Sequence, residues 1–172
     1  MKINLIIIDG LNGSGKSTVA KLLHKKLPRT ALISYDEIKR LISDFEPKDE
    51  YLQLTAKVIQ AMIKQYLSNN VSVIIEFFAP KAEYVKAYTK LAKTNKDLAL
   101  FVYQIEAPLD VRMQRIQARP LQAGAKRKMD KAWIMRNDEN YHANKYTEAT
   151  VFDSGKLSAG RIVNEMLKGI RS

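Results

Sequence analysis

Apolar positions along this chain follow two alternating rhythms. Residues 3–8, Ile-Asn-Leu-Ile-Ile-Ile, form a nearly continuous aliphatic run, the pattern of a strand covered on both faces. Directly downstream, Val19, Leu22, Leu23 and Leu27 recur at helical spacing between Lys21, Lys25 and Lys26, which predicts an amphipathic helix stopped by Pro28. The alternation then repeats. Thr-Ala-Leu-Ile-Ser (30–34) predicts a second strand, and a helix follows over roughly 48–68 with Leu52, Leu54, Val58, Met62, Ile63 and Leu67. Residues 71–78 predict a third strand, and 81–94 a helix with Tyr84, Val85, Tyr88 and Leu91 on its inner side. A fourth strand is expected over 98–106, a basic helix from 109 to about 119, and another helix over 130–147. Residues 149–154 predict a fifth strand, and the last helix turns Ile162, Val163, Met166 and Leu167 inward.

All five prolines fall at or near these boundaries. Strands alternating with helices imply a parallel sheet with right-handed crossovers and helices on both faces. The expectation is a three-layer α/β fold with a five-stranded parallel sheet. A length of 172 residues with no repeat or linker fits a single domain over 1–172.

Composition narrows the function. The apolar fraction is 46% and the charged fraction 27%, which excludes a disordered chain, and no apolar run is long enough to span a bilayer. With no cysteine there is neither a disulfide framework nor a thiolate metal site, as expected of a cytoplasmic protein. The net charge is +11, and the excess is uneven: residues 1–80 hold 11 Lys/Arg and 8 Asp/Glu, residues 81–172 hold 18 and 10. Such a surface favours anionic partners, either phosphorylated small molecules or nucleic acid.

The most informative stretch follows the first strand. Gly10-Leu11-Asn12-Gly13-Ser14-Gly15-Lys16-Ser17 satisfies G-x-x-x-x-G-K-[ST], between a predicted strand and a predicted helix. Glycines at these points let backbone amides turn inward and form a nest for phosphate oxygens. The following helix adds its unpaired amides and positive dipole end. Gly10, Asn12, Gly13, Ser14, Gly15, Lys16, Ser17 and Thr18 are therefore the expected nucleotide-binding residues. Lys16 is expected to reach the β- and γ-phosphates of ATP, and the Ser17 hydroxyl to ligate Mg2+.

A guanine-specific switch should carry N-K-x-D, but Asn95-Lys96-Asp97 lacks the spacer and no D-x-x-G follows the third strand. A transporter-type ATPase needs a signature loop and a longer chain. The chain resembles the small P-loop kinases related to nucleoside monophosphate kinases. That group includes shikimate and gluconate kinases, chloramphenicol phosphotransferase, zeta toxins and polynucleotide kinase. Beyond the glycine loop the resemblance rests on three segments: Ser-Tyr-Asp-Glu-Ile-Lys-Arg (34–40), the third strand ending in Glu76, and 107–120 with Arg112, Arg115 and Arg119 at helical spacings.

The resemblance implies an ATP-dependent, Mg2+-requiring kinase. It implies an acceptor-binding region at about 36–70, where Asp36 takes up the acceptor proton, and a basic lid at about 112–130. It also implies that Arg115 and Arg119 close over the triphosphate and that Glu76 meets Mg2+ through water. Each residue has a plainer alternative: Asp36 as a helix cap, Glu76 in a structural ion pair, the arginines on a solvated basic helix. Lys39 and Arg40 could hold an anionic acceptor group, and Lys126-Arg127-Lys128 belongs with the lid. Asp153 and Ser154 read as a helix cap, and Trp133 as a core residue. Neither His24 nor His142 has neighbours spaced for a metal. The acceptor is a small metabolite or nucleoside-type molecule; a nucleic-acid 5′-hydroxyl and a binding switch without transfer chemistry are the alternatives.

Overall fold

Strand β1 (Ile3–Asp9) lies at the centre of a five-stranded, all-parallel sheet of order β2-β3-β1-β4-β5. Its partners are β3 (Ser72–Phe77) and β4 (Leu98–Glu106), while β2 (Thr30–Ser34) and β5 (Thr150–Asp153) form the edges. The computed structural model describes residues 2–46, 48–78, 82–93, 97–120, 130–144 and 146–171. Leu5 to Ile8 are wholly buried, each side chain contributing about 1.5–3 kcal/mol by leaving water. A strand with neighbours on both edges and helices over both faces must be apolar throughout, and this one is.

Two cores flank the sheet. On one face Leu5, Ile7, Val73 and Ile75 meet Ile59, Ile63 and Leu67 of α3 (Asp49–Ser68) and Val85 and Tyr88 of α4 (Ala82–Lys93). On the other, Ile6, Ile8, Ile74 and Ile105 meet Val19, Ala20 and Leu23 of α1 (Lys16–Lys26) and Ile162, Val163 and Met166 of α7 (Ala159–Arg171). The three-layer expectation therefore holds. The short α2 (Tyr35–Lys39), α5 (Leu109–Ala118) and α6 (Lys131–Asn144) complete the order.

The structure selects the buried rows of two helices and corrects the reading of Trp133. In α3 the buried row is Thr55, Ile59, Ile63 and Leu67, whereas Leu54 and Val58 stand exposed, rotated off that face by about one residue. In α6 the inward row is Ile134, Asp138 and Tyr141, so Trp133 is 38% exposed rather than core. Residues 121–129 of the expected lid, including Lys126, Arg127 and Lys128, lie outside the described residues, as do the side chains of Tyr84 and Leu91.

Candidate functional site

In a parallel sheet every strand delivers its chain to the same edge, and the crevice beside the central strand receives the polar residues. Here that edge carries the glycine loop after β1, Glu76 near the end of β3, Ser34 at the end of β2 and Ser154 just after β5. The loop's glycines answer different demands. A Cβ on Gly10 would sit 2.3 Å from the Ile105 carbonyl oxygen, and one on Gly13 would sit 2.7 Å from the Arg112 carbonyl oxygen. Close backbone approach of β4 and α5 thus excludes side chains there. At Gly15 there is room, the nearest atoms being 3.8 Å away, but φ is +91°, a left-handed geometry that favours glycine.

Gly15 is also the N-cap of α1, and no side chain caps that helix. A helix start left without a side-chain acceptor, following a concave loop, is suited to an anion. Ser14 Oγ is buried with no hydrogen-bond partner among the described residues, whereas its amide donates to the Leu11 carbonyl at 3.1 Å. Thr18 is exposed on the first turn of α1.

Glu76 is the hub beside this loop. It is only 5% exposed, and its two oxygens are divided between neighbours: Oε1 accepts from Ser17 Oγ at 2.9 Å and Oε2 from Ser34 Oγ at 3.0 Å. Lys16 Nζ lies 3.6 Å from Oε1. Register explains the meeting, since Glu76 pairs with Ile8 on one side and Ser34 on the other. A carboxylate among Val73, Ile74 and Ile75 is tolerable because two hydroxyls and an ammonium satisfy it. Ser17 Oγ gives its proton to Glu76, which leaves its lone pairs to face a cation. Among the described residues no three His, Asp or Glu gather as a metal site.

Asp36 stands in the first turn of α2 and makes an ion pair with Lys39 one turn on. Burial pushes its carboxyl pKa up, but Lys39, with help from Lys16 and Arg40, holds it below the ordinary Asp value. It is not a capping residue, because Ser34 is the N-cap of α2.

The three arginines do not act as one face. Arg112 is buried: it forms an ion pair with Asp138 of α6 and donates from Nη1 to the Asn12 carbonyl at 3.2 Å. Its match to the lid pattern is thus overtaken by a partner on α6. Arg115 reaches the loop, donating to Ser154 Oγ and the Ser154 carbonyl at 2.9 Å each, with longer contacts to the Gly13 and Ser14 carbonyls. Arg119 is the exposed C-cap of α5, and among the described residues no hydrogen bond or ion pair joins it to the loop.

Several members of this constellation escaped the sequence reading. Ser154 donates to the Ser14 carbonyl, tying the β5–α7 turn to the glycine loop, while Asp153 accepts from the Gly155 amide. Asp9, fully buried at the end of β1, accepts from the Gly10 amide at 2.7 Å and from Tyr141 Oη at 3.0 Å. Burial, together with the Asp9 charge, pushes the Tyr141 phenol far above its usual pKa, so it serves as a donor throughout the ordinary pH range. The only advance signal was position: polar residues where predicted strands end.

Comparisons with known proteins bear on the family and the fold. The sequence matches the AAA domain family over residues 5–143. No curated protein sequence matches the chain significantly. Among solved structures, a sugar kinase from Janibacter sp. HTCC2649 superposes with a TM-score of 0.73 at 16% identity, covering 98% of this chain and 95% of that one. A gluconokinase from Sinorhizobium meliloti 1021 gives 0.66 at 18% identity, covering 99% and 93%. A chain of the Pnkp1/Rnl/Hen1 RNA repair complex gives 0.69 at 17% identity, covering 91% of this chain and 50% of that one. At such identities the likeness concerns the fold. The chain is a member of the AAA domain family, built on the P-loop fold shared with the nucleoside monophosphate kinase-like group.

Proposed function

We propose that this protein is an ATP-dependent, Mg2+-requiring phosphotransferase that moves the γ-phosphoryl group to a hydroxyl or phosphate of a small-molecule or nucleoside-type acceptor. The observation that carries this reading is the Glu76 hub. One buried carboxylate holds Lys16 and Ser17 beside an uncapped helix start, and the chain leaving neighbouring Ser34 leads directly to Asp36.

In this reading Lys16 and the amides of residues 13–18 bind and orient the phosphates, Ser17 supplies an oxygen to Mg2+, and Glu76 orients its water shell. MgATP supplies the transferable phosphoryl group. Asp36 follows β2 at the sheet edge that carries the loop, and Lys16 is among the cations that lower its pKa, which supports a place beside the acceptor. There it orients a hydroxyl and accepts its proton; its low pKa suits a loose transition state that asks more for alignment than for strong base. Arg115, fixed at the rim of the loop, adds charge where the leaving phosphates lie, and Arg119 belongs to the lid.

Kinase relatives of the same fold support this reading, among them the sugar kinase and the gluconokinase. The net charge of +11 and the relative in an RNA repair complex support a nucleic-acid 5′-hydroxyl as the second acceptor class. The test is transfer from γ-labelled ATP across nucleosides, sugars, antibiotics and short oligonucleotides. Labelled product is expected with one class and none with Lys16→Ala. Tight nucleotide binding without product from any acceptor overturns phosphotransfer in favour of a binding switch.

A further inference from the structure

The protein's positive charge is segregated by layer. Helices α1 and α7 pack against each other over one face of the sheet. Their exposed side carries Lys21, Lys25, Lys26, Arg161, Lys168 and Arg171, and the one carboxylate on either helix, Glu165, is engaged by Lys168 at 2.8 Å. The helices α2, α3 and α4 over the opposite face hold five carboxylates against six lysines. Lysines and arginines in a last turn complement the carbonyl end of a helix, which accounts for part of the set. The same logic would place acids in the first turn, as it does in α3, α4 and α5, yet α1 and α7, like α6, have none.

We propose that the α1–α7 face docks duplex nucleic acid through its phosphate backbone. Both helices start at the edge that carries the glycine loop and run back across the sheet. Most of these cations therefore lie away from Asp36 and Glu76, and the docked duplex is a partner distinct from the phosphate acceptor. The surface chemistry selects the occupant. The large apolar side chains exposed among the described residues lie on α3, α6, β5 and the α2–α3 connection, none on α1 or α7. An anionic membrane surface would call for an apolar wedge beside the cations, and a single strand for aromatic platforms. Lysine and arginine alone, in two adjacent rows, match a duplex read by its charge.

The experiment measures anisotropy of labelled 24-base-pair RNA and DNA duplexes with the full-length protein, without ATP, at 50 and 200 mM salt. Engagement of all six cations predicts an affinity loss on the order of 10³-fold across that range. The variant Lys21→Gln/Lys25→Gln/Lys168→Gln should lose only about 40-fold, the dependence left by three contacts at a slope of about −0.9 each. The control Lys57→Gln/Lys64→Gln/Lys90→Gln on the opposite face should behave as wild type. Circular dichroism verifies folding, and Lys21→Gln/Lys168→Gln replaces the triple variant if it misfolds, with an intermediate slope expected. Lys16→Ala should bind duplex normally, which separates this result from the fate of the phosphotransfer reading. Preference for RNA or for DNA identifies the natural source, and either supports the proposal. It is overturned by no binding at 50 mM salt, by equal slopes in both triple variants, or by stronger binding to phosphatidylserine vesicles than to duplex.

Discussion

Arg112 of α5 and Asp138 of α6 form a buried ion pair, and the same guanidinium bonds the carbonyl of Asn12 within the glycine loop. Two helices that flank the expected lid are thereby fastened to the loop they would close over. Arg112 Nε also donates to the Ala107 carbonyl at 3.1 Å, so each of its three nitrogens is engaged. Removing the acid strands a buried cation. Asp138→Ala is expected to cost about 3 kcal/mol, seen as a lowered urea midpoint. Arg112→Met/Asp138→Leu should recover much of that loss while leaving the Asn12 carbonyl unsupported. An Asp138→Ala midpoint equal to wild type would remove the pair from the stability of this edge.

The loop's glycines should fail in different ways. Gly10→Ala forces a methyl to 2.3 Å from a backbone oxygen of β4, so the damage falls on folding. Gly15→Ala meets no atom within 3.4 Å and pays only for its left-handed backbone, about 1–2 kcal/mol. Thermal melting should find Gly10→Ala much the less stable of the two. Nucleotide affinity should suffer in the folded Gly15→Ala protein. A reversed order of stability would contradict the close approach described for Gly10.

Glu76→Gln keeps shape but removes the charge that Ser17, Ser34 and Lys16 share. If Glu76 orients water on Mg2+, the Mg2+ concentration for half-maximal rate should rise about 10–100-fold. Binding of nucleotide without Mg2+ should change far less. An unaltered Mg2+ requirement would return Glu76 to a purely structural ion pair.

Asp36→Asn should lower kcat by about 10²–10⁴-fold with little change in KM for ATP. Since the folded protein holds this carboxyl below the ordinary Asp value, it stays ionised through pH 5–8, and the rate should show no acid limb from it there. Any stability it lends follows the same sign: complete above the ordinary value, lost as pH falls through the lowered one. Lys39→Ala, which removes its main cationic neighbour, should move the acid limb upward in a pH–rate profile. A kcat untouched by Asp36→Asn would leave this residue outside the chemistry.

Much of this molecule could be read from residue order, because buried parallel strands require unbroken apolar runs and leave polar residues only at their ends. Ile3 to Asp9 and Ser72 to Phe77 are of that kind, and Glu76 stood out as a charge where an aliphatic residue was due. The glycine motif was equally visible. What escaped depends on distance through space. Nothing local reveals that Asp138 would intercept Arg112 across 26 positions, that Tyr141 would reach Asp9, or that Ser154 would bind the Ser14 carbonyl. The covered face of α3 was not legible for a related reason: Leu54 and Val58 are as apolar as Ile59, and only the sheet beneath decides which row is covered.

The central position of β1 has a consequence for how the chain comes into being. Its register joins Leu5 to Val73 and Ile3 to Leu98, so this strand must wait for partners made some seventy and ninety-five residues later. At about 5–20 residues per second that interval lasts several seconds, during which Ile-Ile-Ile has no strand paired beside it. Loop closure over such separations is slow, and an uncovered aliphatic segment is prone to mispairing. The stretch that anchors the finished molecule is therefore one left without its strand partners while the ribosome is still at work.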